Sequence, residues 1–202
     1  MHGLDGAILL AVNGLAGRSA VLDAAGSWVG QYGPALYAPL LLVAWFAYRL
    51  DGAKGAETET QRRRRLILAV AAGALALGLN AAIGAFWYRP RPFVAAPGLI
   101  HLLARHAADS SFPSDHASLS FAVALALFAL PARPRWLAPT SLVWAVVVAL
   151  GRLFLGMHWP SDILGSLAVA LVSALAVRAL EGVLAEPADF LARGLPPRLA
   201  GR

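Results

Sequence analysis

Three short polar clusters interrupt an otherwise apolar chain, and their residue types suit one kind of chemistry. Residues 88–93 read Tyr-Arg-Pro-Arg-Pro-Phe, residues 112–116 read Phe-Pro-Ser-Asp-His, and Arg152 is followed by His158 and then Asp162. Arg91 and Arg152 are permanently cationic, and their planar forks match the oxygens of a phosphate. Ser114 can cap a helix whose first backbone N–H groups then point outward, which is itself an anion site. Two histidines supply what phosphate cleavage needs, a nucleophile and a proton donor for the leaving oxygen. Asp162 lies one helical turn beyond His158 and can hold its imidazole in one tautomer. Converging arginines repel a divalent cation, so neither a metal site built from His116, His158 and the aspartates nor any other cofactor is expected. The set implies metal-free phosphatase chemistry.

Each cluster also has a plainer reading when taken alone. Arg89 and Arg91 are then interfacial anchors whose heads reach toward water. Ser114 and His116 are an ordinary helix start, and His158 with Asp162 is a pair that packs two helices. Three segments converging on one side with complementary chemistry outweigh these readings, because ionisable groups at membrane depth are costly and face a cavity or one another.

The elements that must carry these clusters are membrane helices. Of 202 residues 59% are hydrophobic and 14% charged, against about 25% charge in an average soluble domain. Runs of roughly 20 apolar residues, enough to cross a bilayer core, occur at 33–50, 66–88, 136–156 and 163–180, the last extended by 160–162. A shorter one at 116–130 can begin at Ser114. The expected fold is all-α, a polytopic membrane bundle of five to six transmembrane helices in a single domain over 1–202. Residues 1–31 are expected as short N-terminal helices, 33–180 as the transmembrane core and 181–202 as a cytoplasmic tail. The stretches 4–15 and 19–29 read either as two interfacial helices or as one bent sixth span. Asp5 precedes the first Lys or Arg, which is a poor match to a cleaved signal peptide. Trp28, Trp45, Trp87, Trp136 and Trp159 lie near span ends, as an aromatic belt requires.

Most of the 17 Lys and Arg residues fall on one side of these spans, in 49–65, 133–135 and 178–202. Basic loops stay cytoplasmic, so the loops at 89–112 and 157–161 are expected to face outward. The net charge of +6 therefore reports topology, and no nucleic-acid partner is expected. The absence of cysteine excludes disulfides, zinc–thiolate sites and a thiol nucleophile. His101, Arg105, His106 and Asp109 read as solvated loop residues.

Arg91-Pro92, Pro113-Ser114-Asp115-His116 and Arg152-x5-His158-x3-Asp162 resemble the three motifs of the type 2 phosphatidic acid phosphatase superfamily. The resemblance implies a helical bundle with a site at its outer face. It further implies that His158 is the nucleophile, that Asp162 orients it and that His116 is the general acid. Arg91, Arg152 and Ser114 would bind phosphate, helped by backbone N–H groups near Asp115. Three positions depart from the family pattern: Gly84 stands where a lysine is usual, Asp115 where a glycine is, and Gly151 where a serine is. Arg89, or Asn80, is a candidate to replace the missing lysine, and Asp115 is a candidate ligand of a diphosphate or its leaving group.

These departures, with the run at 86–94, are most similar to the bacterial undecaprenyl-diphosphate phosphatases of the superfamily. The activity then expected is hydrolysis of undecaprenyl diphosphate to the monophosphate, recycling the cell-wall carrier lipid at the outer face of the cytoplasmic membrane. Its partners would be an isoprenoid or other lipid phosphate and the surrounding membrane lipids. Alternatives are a phosphatase of phosphatidate, phosphatidylglycerophosphate or lipid A, or a lipid-to-lipid phosphotransferase. A transporter would carry interrupted helices in matching halves, and the sequence has no internal repeat.

Overall fold

The computed structural model describes residues 3–46, 58–130 and 134–194. Its elements are α1 (Leu4–Asn13), α2 (Ala20–Tyr32), a 3-10 turn (Gly33–Leu36), α3 (Tyr37–Phe46), α4 (Glu59–Phe86), α5 (Pro92–Ala95), α6 (Asp115–Ala129), α7 (Leu137–Phe154), α8 (Pro160–Ala179) and α9 (Glu181–Gly194). Among the described residues there is no strand. Three helices, α4, α7 and α8, are long and apolar enough to cross a membrane.

At the centre stands α6, 15 residues long, packed against α4, α7 and α8. Its packing surfaces are mostly small: Ala117, Ala122, Ala124 and Ala126 are fully buried. Small faces let helix backbones approach closely, the usual source of cohesion where lipid removes the hydrophobic drive between helices. Tyr37 ties this centre to α3 and α7, its hydroxyl lying 2.7 Å from the Ser141 carbonyl and 3.1 Å from that of Ser120.

Gly33, the expected opening of the first span, falls in the 3-10 turn that links α2 to α3. Proline keeps a helical φ and costs mainly its missing N–H donor, so Gly33-Pro34 tightens the helix without ending it. Beyond residue 180, residues 181–194 form α9, which packs on α4.

The arginine run at 62–65 lies inside the first turns of α4, behind a capping box of Thr58 and Gln61. Arg62 donates at 2.7 Å to the carbonyls of both Ala44 and Trp45, satisfying the C-terminal end of α3. Arg63 pairs with Glu59 and lies 4.9 Å over the Trp45 ring. Arg64 pairs with Asp189 of α9 at 3.4 Å. The basic residues at this end therefore also fasten three helix ends together. Of those expected on this side, Arg49, Lys54, Arg133, Arg198 and Arg202 lie outside the described residues. The polar clusters all sit at the opposite end of the bundle, where α4 and α7 end and α6 and α8 begin.

Candidate active site

His158 precedes α8 by two residues and is 2% exposed. Its Nδ1 lies 2.7 Å from the Ser111 carbonyl. A carbonyl only accepts, so Nδ1 carries the proton and the lone pair of the neutral ring sits on Nε2. That lone pair faces Nη1 of Arg91 and Nη2 of Arg152, each 3.2 Å away. Both arginines are buried, at 5% and 2% exposure.

Arg91 is held by three further acceptors: Asp109 Oδ1 at 2.7 Å, Met157 O at 3.0 Å and Ser110 O at 3.2 Å. The Asp109 carboxyl is raised by burial, but the hydrogen bond and charge of Arg91, with His106, outweigh this and hold it below its usual range. Asp109 is an exposed loop residue, as expected, and its carboxylate also anchors Arg91.

Arg152 Nη1 donates to Gly30 O at 2.8 Å. Helical geometry would direct the N–H of residue 34 to that carbonyl, and residue 34 is proline, so Arg152 supplies the missing donor. One residue on, the Gln31 carbonyl accepts from His116 Nε2 at 3.1 Å. The proline therefore does more than bend the chain, for beside it α2 presents two carbonyls to two of the expected site residues.

This contact depends on glycine. A Cβ on Gly151 would stand 3.0 Å from both N and Cα of Gly30 and 3.1 Å from Val29 Cγ1, a tight approach to backbone. The serine usual at position 151 has little room here. Gly151→Ser is expected to push α2 outward and loosen Gly30 and Gln31 from Arg152 and His116. The overpacking cost is about 1–3 kcal/mol, read as a lower melting temperature in detergent together with lower turnover.

The other expected site residues are placed as follows. Asp162 is fully buried; Oδ2 accepts from the Trp159 N–H at 2.7 Å and lies 3.7 Å from His158 Nδ1. The direct tautomer-fixing bond therefore comes from Ser111, with Asp162 a nearby charge. Arg89 does not join Arg91 and Arg152 around His158: it donates to Asp162 Oδ1 at 2.6 Å, to Ser161 Oγ at 2.7 Å and to Asp5 Oδ2 at 2.8 Å. Ser114 is buried, caps α6 through Ala117 N–H and donates its own N–H to Ser166 Oγ at 2.9 Å. Asp115 is exposed in the first turn of α6 and accepts from Asn80 Nδ2 at 2.8 Å. A Cβ at Gly84 would meet nothing within 4 Å. Asn80 and Arg89, the two candidates to replace a lysine there, are both committed to carboxylates.

Sequence reasoning missed Asp109, Ser111, Gly30 and Gln31. Three of these act through backbone carbonyls, which any residue supplies. Only Pro34, a residue without a donor inside an apolar helical run, was a usable signal. Among the described residues, no group of His, Asp and Glu is placed to hold a metal ion.

Burial first, then the charges of Arg152 and Arg91, hold the His158 imidazole well below its ordinary range, with the field of His116 adding to the effect. The ring is therefore neutral at neutral pH. In the unfolded chain it takes up a proton near about pH 6.5, whereas the folded protein resists that proton. Stability present above that pH is thus lost as the solution becomes more acid. Relative to His158→Asn, the wild-type protein is expected to lose roughly 1.4 kcal/mol more per pH unit below about 6.5, measurable by unfolding in detergent across that range.

A helical membrane bundle that buries two guanidinium groups around a neutral imidazole is, as a class, built to hold an oxyanion beside a nucleophile. The PAP2 superfamily profile matches residues 65–183, and the chain belongs to that superfamily. It is 31% identical over 165 residues to the undecaprenyl-diphosphatase BcrC of Bacillus subtilis, covering 82% of this chain and 78% of that protein. The crystal structure of Aquifex aeolicus LpxE superimposes with a TM-score of 0.63 at 19% identity, over 87% of this chain and 95% of that one. That of the transmembrane PAP2-type phosphatidylglycerolphosphate phosphatase of Bacillus subtilis gives 0.59 at 22% identity, over 88% and 86%. The fold is thus that of the membrane-embedded members of the superfamily.

Proposed function

We propose that this chain hydrolyses undecaprenyl diphosphate to undecaprenyl phosphate and inorganic phosphate, at the outer face of a bacterial cytoplasmic membrane. The observation that carries the reading is the His158 ring, its Nδ1 proton fixed by Ser111 and its Nε2 lone pair set between Arg91 and Arg152. The similarity to BcrC over most of both chains supports the choice of lipid.

In the first step Nε2 attacks the terminal phosphorus and the P–O bond to the bridging oxygen breaks. His116, entering the step as an imidazolium, gives that oxygen a proton and becomes neutral, so undecaprenyl phosphate leaves and a phosphohistidine remains. In the second step His116 takes a proton from water, the hydroxide attacks phosphorus and the N–P bond breaks, releasing phosphate and restoring neutral His158. The arginines stabilise the charge that spreads over the equatorial oxygens during both transfers. Arg152 Nε, buried without a hydrogen-bond partner, is a donor available to such an oxygen. The phosphate would also take over donors now used by Gly30, Gln31 and Asp109. A groove of about 460 Å³ lined by Ile83, Trp87, Arg89 and Phe112 offers room for part of a lipid tail near this end of the bundle.

The test is phosphate release by the purified full chain, in one detergent with chelator, from undecaprenyl diphosphate, phosphatidate, phosphatidylglycerophosphate and lipid A. The reading requires that undecaprenyl diphosphate be turned over most efficiently and that chelator have no effect. Preference for one of the monoesters would transfer the same chemistry to that lipid.

A further inference from the structure

We propose that Asp5, on the short helix α1, is a positioning residue for phosphoryl transfer to His158, acting through Arg89 and Asp162. The inference rests on the function proposed above. The three side chains form one connected cluster. Arg89 bridges the two carboxylates, with Asp162 Oδ1 at 2.6 Å and Asp5 Oδ2 at 2.8 Å. Ser161 closes the ring, donating its N–H to Asp5 Oδ1 at 2.8 Å and its hydroxyl to Asp5 Oδ2, while accepting from Arg89 at 2.7 Å.

Asp5 therefore does two things at once. It accepts a backbone N–H from the first turn of α8, a group that a helix start leaves without a partner, and Trp159 offers no side-chain bond there. It also decides the charge of the cluster. A buried carboxylate such as Asp162 requires a countercharge, and Arg89 alone would cancel it. With Asp5 included, the cluster keeps a net charge of −1 beside His158, whose Nδ1 is 3.7 Å from Asp162 Oδ2. Attack by Nε2 turns the neutral ring into a cationic phosphoimidazolium that still carries its Nδ1 proton. A negative cluster beside Nδ1 stabilises that species and not the ground state, so its contribution belongs in kcat rather than in substrate binding.

The experiment is a double-mutant cycle on the purified full-length protein, with Asp5→Asn, Arg89→Gln and the double variant assayed for phosphate release from undecaprenyl diphosphate. Asp5→Asn keeps an oxygen acceptor for the Ser161 N–H and removes the charge. It is expected to lower kcat about tenfold and leave KM within about twofold, and in the Arg89→Gln background its effect should vanish or reverse, since the double variant again carries a cluster charge of −1. Multiplicative losses would overturn the proposal, because capping α8 does not require Arg89 and would persist in its absence. So would a loss confined to KM, or turnover by Asp5→Asn within twofold of the wild type. Active wild-type protein with unaffected Asp5→Asn defeats this inference alone, whereas wild-type protein inactive on every lipid defeats it together with the function on which it rests.

Discussion

Replacing His158 with alanine is expected to abolish phosphate release while leaving a protein that can still be purified and folded. The imidazole places a lone pair between Arg91 and Arg152, at 3.2 Å from each, and in the proposed mechanism no covalent intermediate forms without it. A single positioned acid or base is worth about 10²–10⁴-fold. Loss of the nucleophile removes both steps together, so turnover should fall by roughly 10⁴-fold or more. His116→Gln should be severe but smaller, since the leaving oxygen can then draw its proton from water. The measurement is phosphate release beside a thermal melt of each variant. Near-native release by intact His158→Ala protein would remove the nucleophile from this account.

The second large effect is expected at Arg152, and it separates charge from geometry. Arg152→Lys keeps the positive charge, yet one ammonium on a flexible stem cannot serve both Gly30 O and the site beside His158 as the rigid fork does. Losing one preorganised donor to a developing oxyanion costs about 10²–10³-fold in kcat. Folding suffers as well, because Pro34 has no N–H to offer and the buried Gly30 carbonyl loses its partner, at about 1–3 kcal/mol. Lower kcat and a lower melting temperature should therefore appear in the same variant. Near-wild-type kinetics in Arg152→Lys would mean that a point charge suffices and that the fork is not used.

Much of the architecture was legible because it follows from local rules. A run of apolar residues long enough for a bilayer must be helical, since no water is present to satisfy its backbone. The Ser114 cap and the Pro160 start announce their helices by residue type. Gly33-Pro34 reads as a helix opening in the sequence and is the 3-10 turn between α2 and α3 in the structure, where Gly26, Gly30 and Gly33 fit closely on the end of α7. Likewise Arg89 resembled a second phosphate ligand beside Arg91. Two residues apart in a non-helical segment, the two side chains point in different directions, one to His158 and the other to Asp5 and Asp162.

The amino-acid sequence by itself determined the class of the protein and the inventory of its chemistry: apolar helices, two arginines, two histidines and an aspartate at telling intervals. Helix periodicity and side-chain type are local properties, and they are written residue by residue. Only the tertiary structure decided which partner each group meets. Ser111 holds the His158 proton, Gly30 and Gln31 hold Arg152 and His116, and Asp5 reaches Arg89 from across the bundle. These contacts join residues up to 122 positions apart, and several use backbone carbonyls that carry no residue-specific mark. Such pairings exist only once the helices have packed.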